Sequence, residues 1–299
     1  MSRVLVTGAS GFIGRHALAP LLAAGHEVHA VARRVPVASD PAIVWHEEDL
    51  LAAGAPERLM DAAQPSHLLH LAWYAEHGRF WTAAENVPWV EATLALTRAF
   101  VAAEGRRIVC AGTSAEYDWS AGFCSEGVTP MRPGMLYGIA KDATHRVAAA
   151  AAEASGTSLA WGRVFFLYGP GEHPDRLVAS VARAVLEGRP AEVSSGAQVR
   201  DFMHVSDVAG AFCALLESDV TGPVNIASGD PVRVREIVAQ IAELAGREDL
   251  PRYGALPDRP GDPPLLVADV RRLRDEVGYG GGRALRDGLR ETLEWWRNA

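Results

Sequence analysis

The sequence predicts an α/β fold in which a parallel sheet is wound with helices on both faces and a smaller second domain completes the molecule. Three observations predict it. Apolar runs of strand length alternate with helical stretches through the first 165 residues, and the first run leads straight into a glycine-rich turn and a helix. The segments 166–195 and 222–299 are richer in proline and glycine, as in Leu256-Pro257-Asp258-Arg259-Pro260-Gly261-Asp262-Pro263-Pro264, which suggests long ordered loops. Alternation of strand and helix selects a parallel sheet, because parallel neighbours need a crossover that a helix supplies. With 299 residues, 48% of them hydrophobic, the chain has enough length for a sizeable core.

Arg3-Val4-Leu5-Val6-Thr7 reads as a buried strand, followed by Gly8-Ala9-Ser10-Gly11-Phe12-Ile13-Gly14 and a helical run from His16 to Ala24. Strand, glycine turn and helix in this order make a dinucleotide site. Gly8, Gly11 and Gly14 let the backbone approach a pyrophosphate, with Phe12 and Ile13 in the turn beside them, and the helix N-terminus offers N–H groups and the positive end of its dipole. The next strand, Glu27–Val31, runs into Ala32-Arg33-Arg34. In dinucleotide folds a carboxylate about 20 positions after the glycines binds the ribose 2′-OH, whereas an arginine accommodates a 2′-phosphate. No carboxylate stands there, so Arg33 and Arg34 predict NADP(H) over NAD(H).

Further strands are predicted at Ile43–Trp45, His67–Leu71, Arg107–Ala111 and Leu159–Val164, with helical stretches at Val87–Ala103 and Met135–Ala154 among those between them. Residues 1–165 are thereby expected to form a Rossmann-type dinucleotide-binding domain, to which 200–217 returns with one more strand and helix. A substrate-binding domain is expected from 166–195 and 222–299, with ligand in the crevice beyond the carboxyl ends of the parallel strands.

The net charge of -8 and pI near 5.7 argue against a nucleic-acid partner. Cys110, Cys124 and Cys213 are odd in number and lack metal-ligand spacing, so neither a disulfide framework nor a metal site is expected, and reduced thiols fit a cytoplasmic protein. The chain enters an apolar strand almost at once, leaving no room for a signal peptide, and no run of 18 apolar residues predicts a membrane span.

One lysine stands among the 29 basic residues, Lys141, four positions after Tyr137. Four residues is about one helical turn, so on a helix the phenol and the ammonium share a face. A positive charge beside a phenol favours phenolate, so Lys141 is expected to lower the Tyr137 pKa from its usual value of about 10. Reducing a ketone needs hydride at carbon and a proton at the oxygen, and a phenol with a neighbouring hydroxyl supplies donors for that oxygen.

Several further stretches accompany this pair. They are Asp49-Leu50, His70-Leu71-Ala72, Gly112-Thr113-Ser114-Ala115-Glu116-Tyr117, Tyr168-Gly169-Pro170-Gly171, Arg200-Asp201-Phe202-Met203-His204-Val205-Ser206-Asp207-Val208-Ala209 and Arg259-Pro260-Gly261-Asp262. In order and spacing, with the glycine turn, they resemble the extended short-chain dehydrogenase/reductase family, the group of NAD(P)-dependent nucleotide-sugar epimerases, dehydratases and reductases. The resemblance covers nearly the whole chain. It implies that Tyr137 is the general acid or base and that Lys141 holds the nicotinamide ribose. It implies that Thr113 hydrogen-bonds the reacting sugar oxygen. Ser114 is the alternative, with Thr113 preferred by its count back from Tyr117. It further implies that Asp49 and Leu50 contact adenine, and that Leu71, Ala72 and Trp73 line the cofactor channel. Arg200 and Arg259, with Arg176, would bracket a sugar-nucleotide diphosphate, for which guanidinium groups are suited. The helices at Val87–Ala103 and Met135–Ala154 are similar to those that pair in family dimers, so a homodimer is expected. His173 reads as peripheral and Trp295-Trp296 as core packing of a last helix.

Departures from the family narrow the expected activity. Its dehydratases place an acidic pair directly after the catalytic threonine, where this chain has Ser114 and Ala115. Its GDP-fucose-forming members use a cysteine near this point and a histidine after the Tyr-Gly-Pro run, where Ala115 and Gly171 stand. Phe166 occupies a position at which many members carry asparagine. Together with the NADP preference, the expected activity is NADPH-dependent reduction of a nucleotide-linked 4-keto-6-deoxyhexose, as in deoxysugar biosynthesis, with hydride from nicotinamide and a proton from Tyr137. An NAD-dependent nucleotide-sugar 4-epimerase is the alternative enzyme. A non-catalytic dinucleotide-binding sensor or scaffold is the alternative of another class, opposed by the joint retention of Thr113, Tyr137 and Lys141.

Overall fold

The computed structural model describes residues 2–37 and 40–299. In chain order the first half contains β1 (Arg3–Thr7), α1 (Gly14–Ala23), β2 (Glu27–Ala32), β3 (Ile43–Glu47), α2 (Ala55–Ala63), β4 (His67–His70), α3 (Asn86–Ala102), β5 (Arg107–Thr113), β6 (Phe123–Cys124), α4 (Leu136–Ser155) and β7 (Ser158–Val164). The second half contains β8 (Phe166–Tyr168), α5 (Leu177–Leu186), β9 (Ala191–Val193), β10 (Val199–His204), α6 (Val205–Glu217), β11 (Gly222–Ile226), β12 (Pro231–Arg233), α7 (Val234–Ala245), β13 (Pro251–Tyr253), β14 (Leu265–Ala268) and α8 (Leu285–Asn298).

Seven parallel strands make the main sheet in the order β11-β7-β5-β4-β1-β2-β3. Their apolar runs are buried, with Val4, Leu5 and Val6 wholly so, because helices cover both faces. On one face α1 and α6 pack over Val4, Val6, Leu69, Val109 and Ala160. On the other, α2, α3 and α4 close over Leu5, Leu68, Ile108, Cys110 and Leu159. The strand order reverses between β1 and β4, the switch point beyond whose carboxyl strand ends ligands bind in sheets of this kind.

Two strands are distributed differently from the sequence expectation. Residues 200–217 send only the helix α6 to the main layers. The strand β10 joins a second, five-stranded sheet in which it pairs with β8, β12 and β14. The edge strand of the main sheet is instead β11, from the segment assigned to the substrate half. Buried polarity holds β10 in the second sheet. Asp201 of β10 is fully buried and accepts hydrogen bonds from Ser228 N (2.8 Å), Ser228 Oγ (2.6 Å), Gly229 N (3.0 Å) and Ala268 N (3.3 Å), none of which the apolar sheet core offers. On β11 Val224 and Ile226 are wholly buried, and the equally buried Asn225 between them is satisfied by Tyr117, Cys124 and Asp269.

A third apolar cluster joins α5, α7 and α8 through Val181, Val185, Ile237, Ile241, Leu289 and Leu293. Trp296 packs at its edge, whereas Trp295 is 37% exposed, so only one of the two tryptophans packs on the core. Among the described residues, no helix is long and apolar enough to cross a membrane.

Candidate active site

The glycine turn is shaped by contacts that exclude side chains. Gly8 has φ +68°, and a Cβ there would lie 2.7 Å from the backbone nitrogen of Ala72. The turn is thus pressed against the chain leaving β4. A Cβ on Gly14 would lie 2.1 Å from Gly8 O, so α1 begins directly against the turn. Gly11 N donates to Gly8 O at 2.9 Å. Phe12 and Ile13 are half-buried beside it. The result is a bare backbone concavity at a helix N-terminus, a fit to a pyrophosphate that side chains there would destroy.

At the neighbouring strand ends, Leu71 N donates to Thr7 O at 3.1 Å, and Ala72 is buried. The indole N–H of Trp73 donates to Asn86 Oδ1 at 2.9 Å, which fixes its ring. Lys141 Nζ stands 3.8 Å from the centre of that ring and donates to Ala111 O at 2.8 Å. The side chain comes from α4, a helix bounded by Pro133 and Gly134 before its start and by Gly156 in the left-handed conformation after its end. Lys141 is 3% exposed, and burial holds its pKa down to about 7, with the Glu116 carboxylate acting the other way.

Tyr137, one turn earlier on α4, is enclosed by Phe80 and Trp81, whose ring centres lie 4.8 and 5.9 Å from its own in edge-on packing. Its phenol lies within electrostatic reach of the Thr113 hydroxyl. Burial pushes the phenol up to about 12; the Thr113 hydroxyl and the Arg176 charge pull it down, while Glu116 adds to the rise. The expected tuning of the phenol by Lys141 is therefore corrected. The ammonium is turned to Ala111 and Trp73, the cation that acts on the phenol is Arg176, and desolvation dominates both groups.

Thr113 ends β5 and opens a tight turn of Ser114–Glu116. Its Oγ accepts from Ala115 N at 3.2 Å and its N–H donates to Glu116 Oε1 at 2.9 Å. The alternative, Ser114, is buried with its carbonyl accepting from the Trp119 indole at 2.9 Å.

A model of the NAD dependent epimerase/dehydratase family matches residues 4–227. The chain belongs to that family. Among solved structures it is similar to MoeE5 in complex with UDP-glucuronic acid and NAD, with 36% identity, a TM-score of 0.85 and 99% of each chain covered. It is also similar to the UDP-glucose 4-epimerase of Thermus thermophilus in complex with NAD, with 28% identity, a TM-score of 0.86 and again 99% of each chain covered. UDP-glucuronic acid decarboxylase 1 of Xenopus tropicalis is 27% identical over 311 residues, which span 99% of this chain and 72% of the relative.

As an epimerase/dehydratase family member, the chain brings together the glycine turn, Leu71–Trp73, Lys141, Tyr137 and Thr113 through the contacts above. Arg176 caps the start of α5, half-buried and within electrostatic reach of Tyr137 and of Glu172. Arg200 is 3% exposed and its guanidinium is 2.7 Å from Asp262 Oδ1, so a carboxylate from the loop before β14 already compensates it. Arg259 is exposed and acts on His77, whose ring stacks on His173 with centres 5.2 Å apart. Arg33 and Arg34 are exposed beyond β2. Beyond β3, Asp49 is exposed, with its carboxylate accepting from Leu51 N at 3.1 Å, and Leu50 is buried.

Sequence reasoning missed three groups near the site. His70 bridges the Thr7 and Thr93 hydroxyls at 2.7 and 3.0 Å beneath the glycine turn, and its pKa is lowered to about 3 by burial and the Lys141 charge. Glu172 is 4% exposed in the loop after β8, and burial pushes its carboxyl up to about 8. Glu116 is fully buried and bonded to Arg163. The available signal for Glu116 was a lone carboxylate in the otherwise small and apolar run from Ile108 to Tyr117.

Proposed function

We propose that this protein is an NAD-dependent nucleotide-sugar 4-epimerase, with Tyr137 as the proton-transferring group at the sugar hydroxyl. The observation that carries the reading is the grouping of Thr113 with Tyr137, which stands one helical turn from buried Lys141, beside a glycine turn that excludes side chains. The turn of Gly8, Gly11 and Gly14 fits the cofactor pyrophosphate, with Lys141 at the nicotinamide ribose, Asp49 and Leu50 at the adenine end and Leu71, Ala72 and Trp73 along the channel. Bound NAD supplies the hydride acceptance and return that inversion at a sugar carbon requires. Tyr137 takes the proton of the hydroxyl and gives it back, and Thr113 orients that hydroxyl by a second hydrogen bond. Phe80, Trp81 and Trp119 form an aromatic wall that packs edge-on beside the phenol ring.

Two relatives at 36% and 28% identity hold NAD, and one of these is a 4-epimerase, which supports this reading over the NADPH-dependent reduction expected from the sequence. Ser114 and Ala115 in place of an acidic pair weigh against dehydration. Reduction with NADPH is the second reading, favoured by Arg33 and Arg34 at the end of β2 and by the lack of a carboxylate there. UDP-glucose and UDP-glucuronic acid, each incubated with the protein and NAD, separate the readings by proton NMR. Interconversion of the 4-epimers with no net change at 340 nm, abolished in Tyr137→Phe, is the expected result. Net consumption of NADPH with a 4-ketosugar and no epimerisation with NAD refutes it in favour of reduction.

A further inference from the structure

A buried ion pair lies directly behind Thr113. Glu116 is fully buried, and its carboxylate accepts from three donors: Thr113 N at 2.9 Å, the Trp161 indole at 2.9 Å and Arg163 Nε at 2.7 Å. Arg163, itself 2% exposed, also donates to the Tyr117 phenol at 3.1 Å, and that phenol donates to Asn225 Oδ1 at 2.7 Å. The backbone closes tightly on this network, since a Cβ on Gly112 would lie 2.1 Å from the Trp161 indole nitrogen and 2.7 Å from Glu116 Oε1. Buried ion pairs are poor stabilisers, because well-packed apolar residues of the same volume do as well or better. Stability alone therefore gives no reason for a carboxylate here.

We propose that Glu116, anchored by Arg163, is a positioning residue of the active site: its carboxylate fixes the turn that carries Thr113 and supplies a negative charge to Tyr137 and Lys141. The proposal rests on the reading of Tyr137 as the acid/base only in its purpose, because the effect on Lys141 is measurable without turnover. The charged and titratable groups around the pair are few. Tyr137 faces Thr113, Glu116 and Arg176; Lys141 faces Glu116, Cys110 and His70; His145 stacks on Trp161 with ring centres 5.0 Å apart and faces Arg163 and Arg146. Glu116 is the strongest of the charges opposing the desolvation of Lys141 and also raises the Tyr137 phenol. A fixed negative charge strengthens proton binding at both, so neutralising it weakens proton binding at both.

Lys141 is the only lysine of the chain, so protein grown with lysine labelled by carbon-13 at Cε gives one such side-chain resonance. Its pH titration in the whole chain is expected to centre near pH 7 in the wild type. In Glu116→Gln and in the double variant Glu116→Gln/Arg163→Met, the midpoint is expected to fall by about one pH unit, a tenfold loss of proton affinity. The double variant leaves no unpaired buried charge and carries the test if the single one does not fold. An unchanged midpoint in folded variant protein, judged by circular dichroism, overturns the proposal and leaves the pair a structural one. Retained turnover in Tyr137→Phe would instead remove the acid/base reading and leave the Lys141 titration standing.

Discussion

Lys141→Met is expected to make the protein more stable at neutral pH while ending its turnover. The ammonium is 3% exposed and its pKa falls from 10.5 to about 7 on folding. Between these values the unfolded chain binds a proton that the folded chain binds less well, so stability rises with pH across that window and the full penalty is present below it. At about 1.4 kcal/mol per pH unit, the penalty at pH 7 is about 4 kcal/mol. Against it stand the hydrogen bond to Ala111 O and the contact with the Trp73 ring, each worth about 1 kcal/mol. Methionine keeps the length of the chain and fills the same space without charge, for a net gain of about 2 kcal/mol at pH 7. Urea unfolding followed by tryptophan fluorescence at pH 7 and pH 10 measures it. The gain should be present at pH 7 and gone by pH 10, where wild-type Lys141 folds uncharged. A variant less stable than wild type at pH 7, or a gain independent of pH, refutes desolvation as the dominant influence on this amine.

Two other substitutions probe the turn and the loop after β8. In Gly14→Ala the new methyl would sit 2.1 Å from Gly8 O and 2.8 Å from Ala9 Cα, so the turn must open. A loss of about 3 kcal/mol in stability and of NAD binding by calorimetry is expected, and unchanged affinity would show that the turn does not hold the cofactor. In Glu172→Gln a carboxyl that folds with its pKa raised from 4.5 to about 8 is replaced by a group that does not titrate. The folded protein holds that proton where the unfolded chain has lost it, so wild-type stability falls relative to the variant as pH rises from about 5 to about 8, by about 3 kcal/mol. Thermal melts at the two pH values that show a constant difference would sink this assignment.

The parts of the site visible in the sequence are those set by short-range geometry. Strand β1 is a run of consecutive apolar residues, and the glycine spacing follows from a turn closed within seven residues, Gly8 to Gly14. Tyr137 and Lys141 share a helical turn. What stayed hidden depends on partners far along the chain. Glu116 and Arg163 are 47 residues apart, and nothing local to either announces the other. Arg200 looks like a free phosphate ligand until Asp262 is seen against it. The place of β10 follows from the donors that Asp201 needs, which come from the loop after β11 and from β14. The direction of the Tyr137 shift was misread for a related reason. Charge proximity can be inferred from spacing, whereas desolvation depends on the Phe80 and Trp81 walls, which a different segment supplies.

Desolvation also explains why the chain, with arginine at every other basic position, has a lysine at 141. The same burial acts oppositely on the two groups of the pair, because it penalises whichever form is charged: the phenol is pushed up to about 12 and the amine down to about 7. Between those values both are neutral, and at pH 7 the amine is poised at its midpoint. A lysine can enter this pocket by shedding its proton and regain it when negative charge develops nearby. An arginine cannot, since its guanidinium stays protonated throughout the accessible range. Placed at 141, with Trp73 and Ala111 closing the space and Glu116, the nearby carboxylate, already satisfied by Arg163, it would be a permanent buried cation costing several kcal/mol. Burial at this depth admits only a basic side chain that can shed its charge, and among the basic side chains of this sequence only the amine at 141 has that freedom.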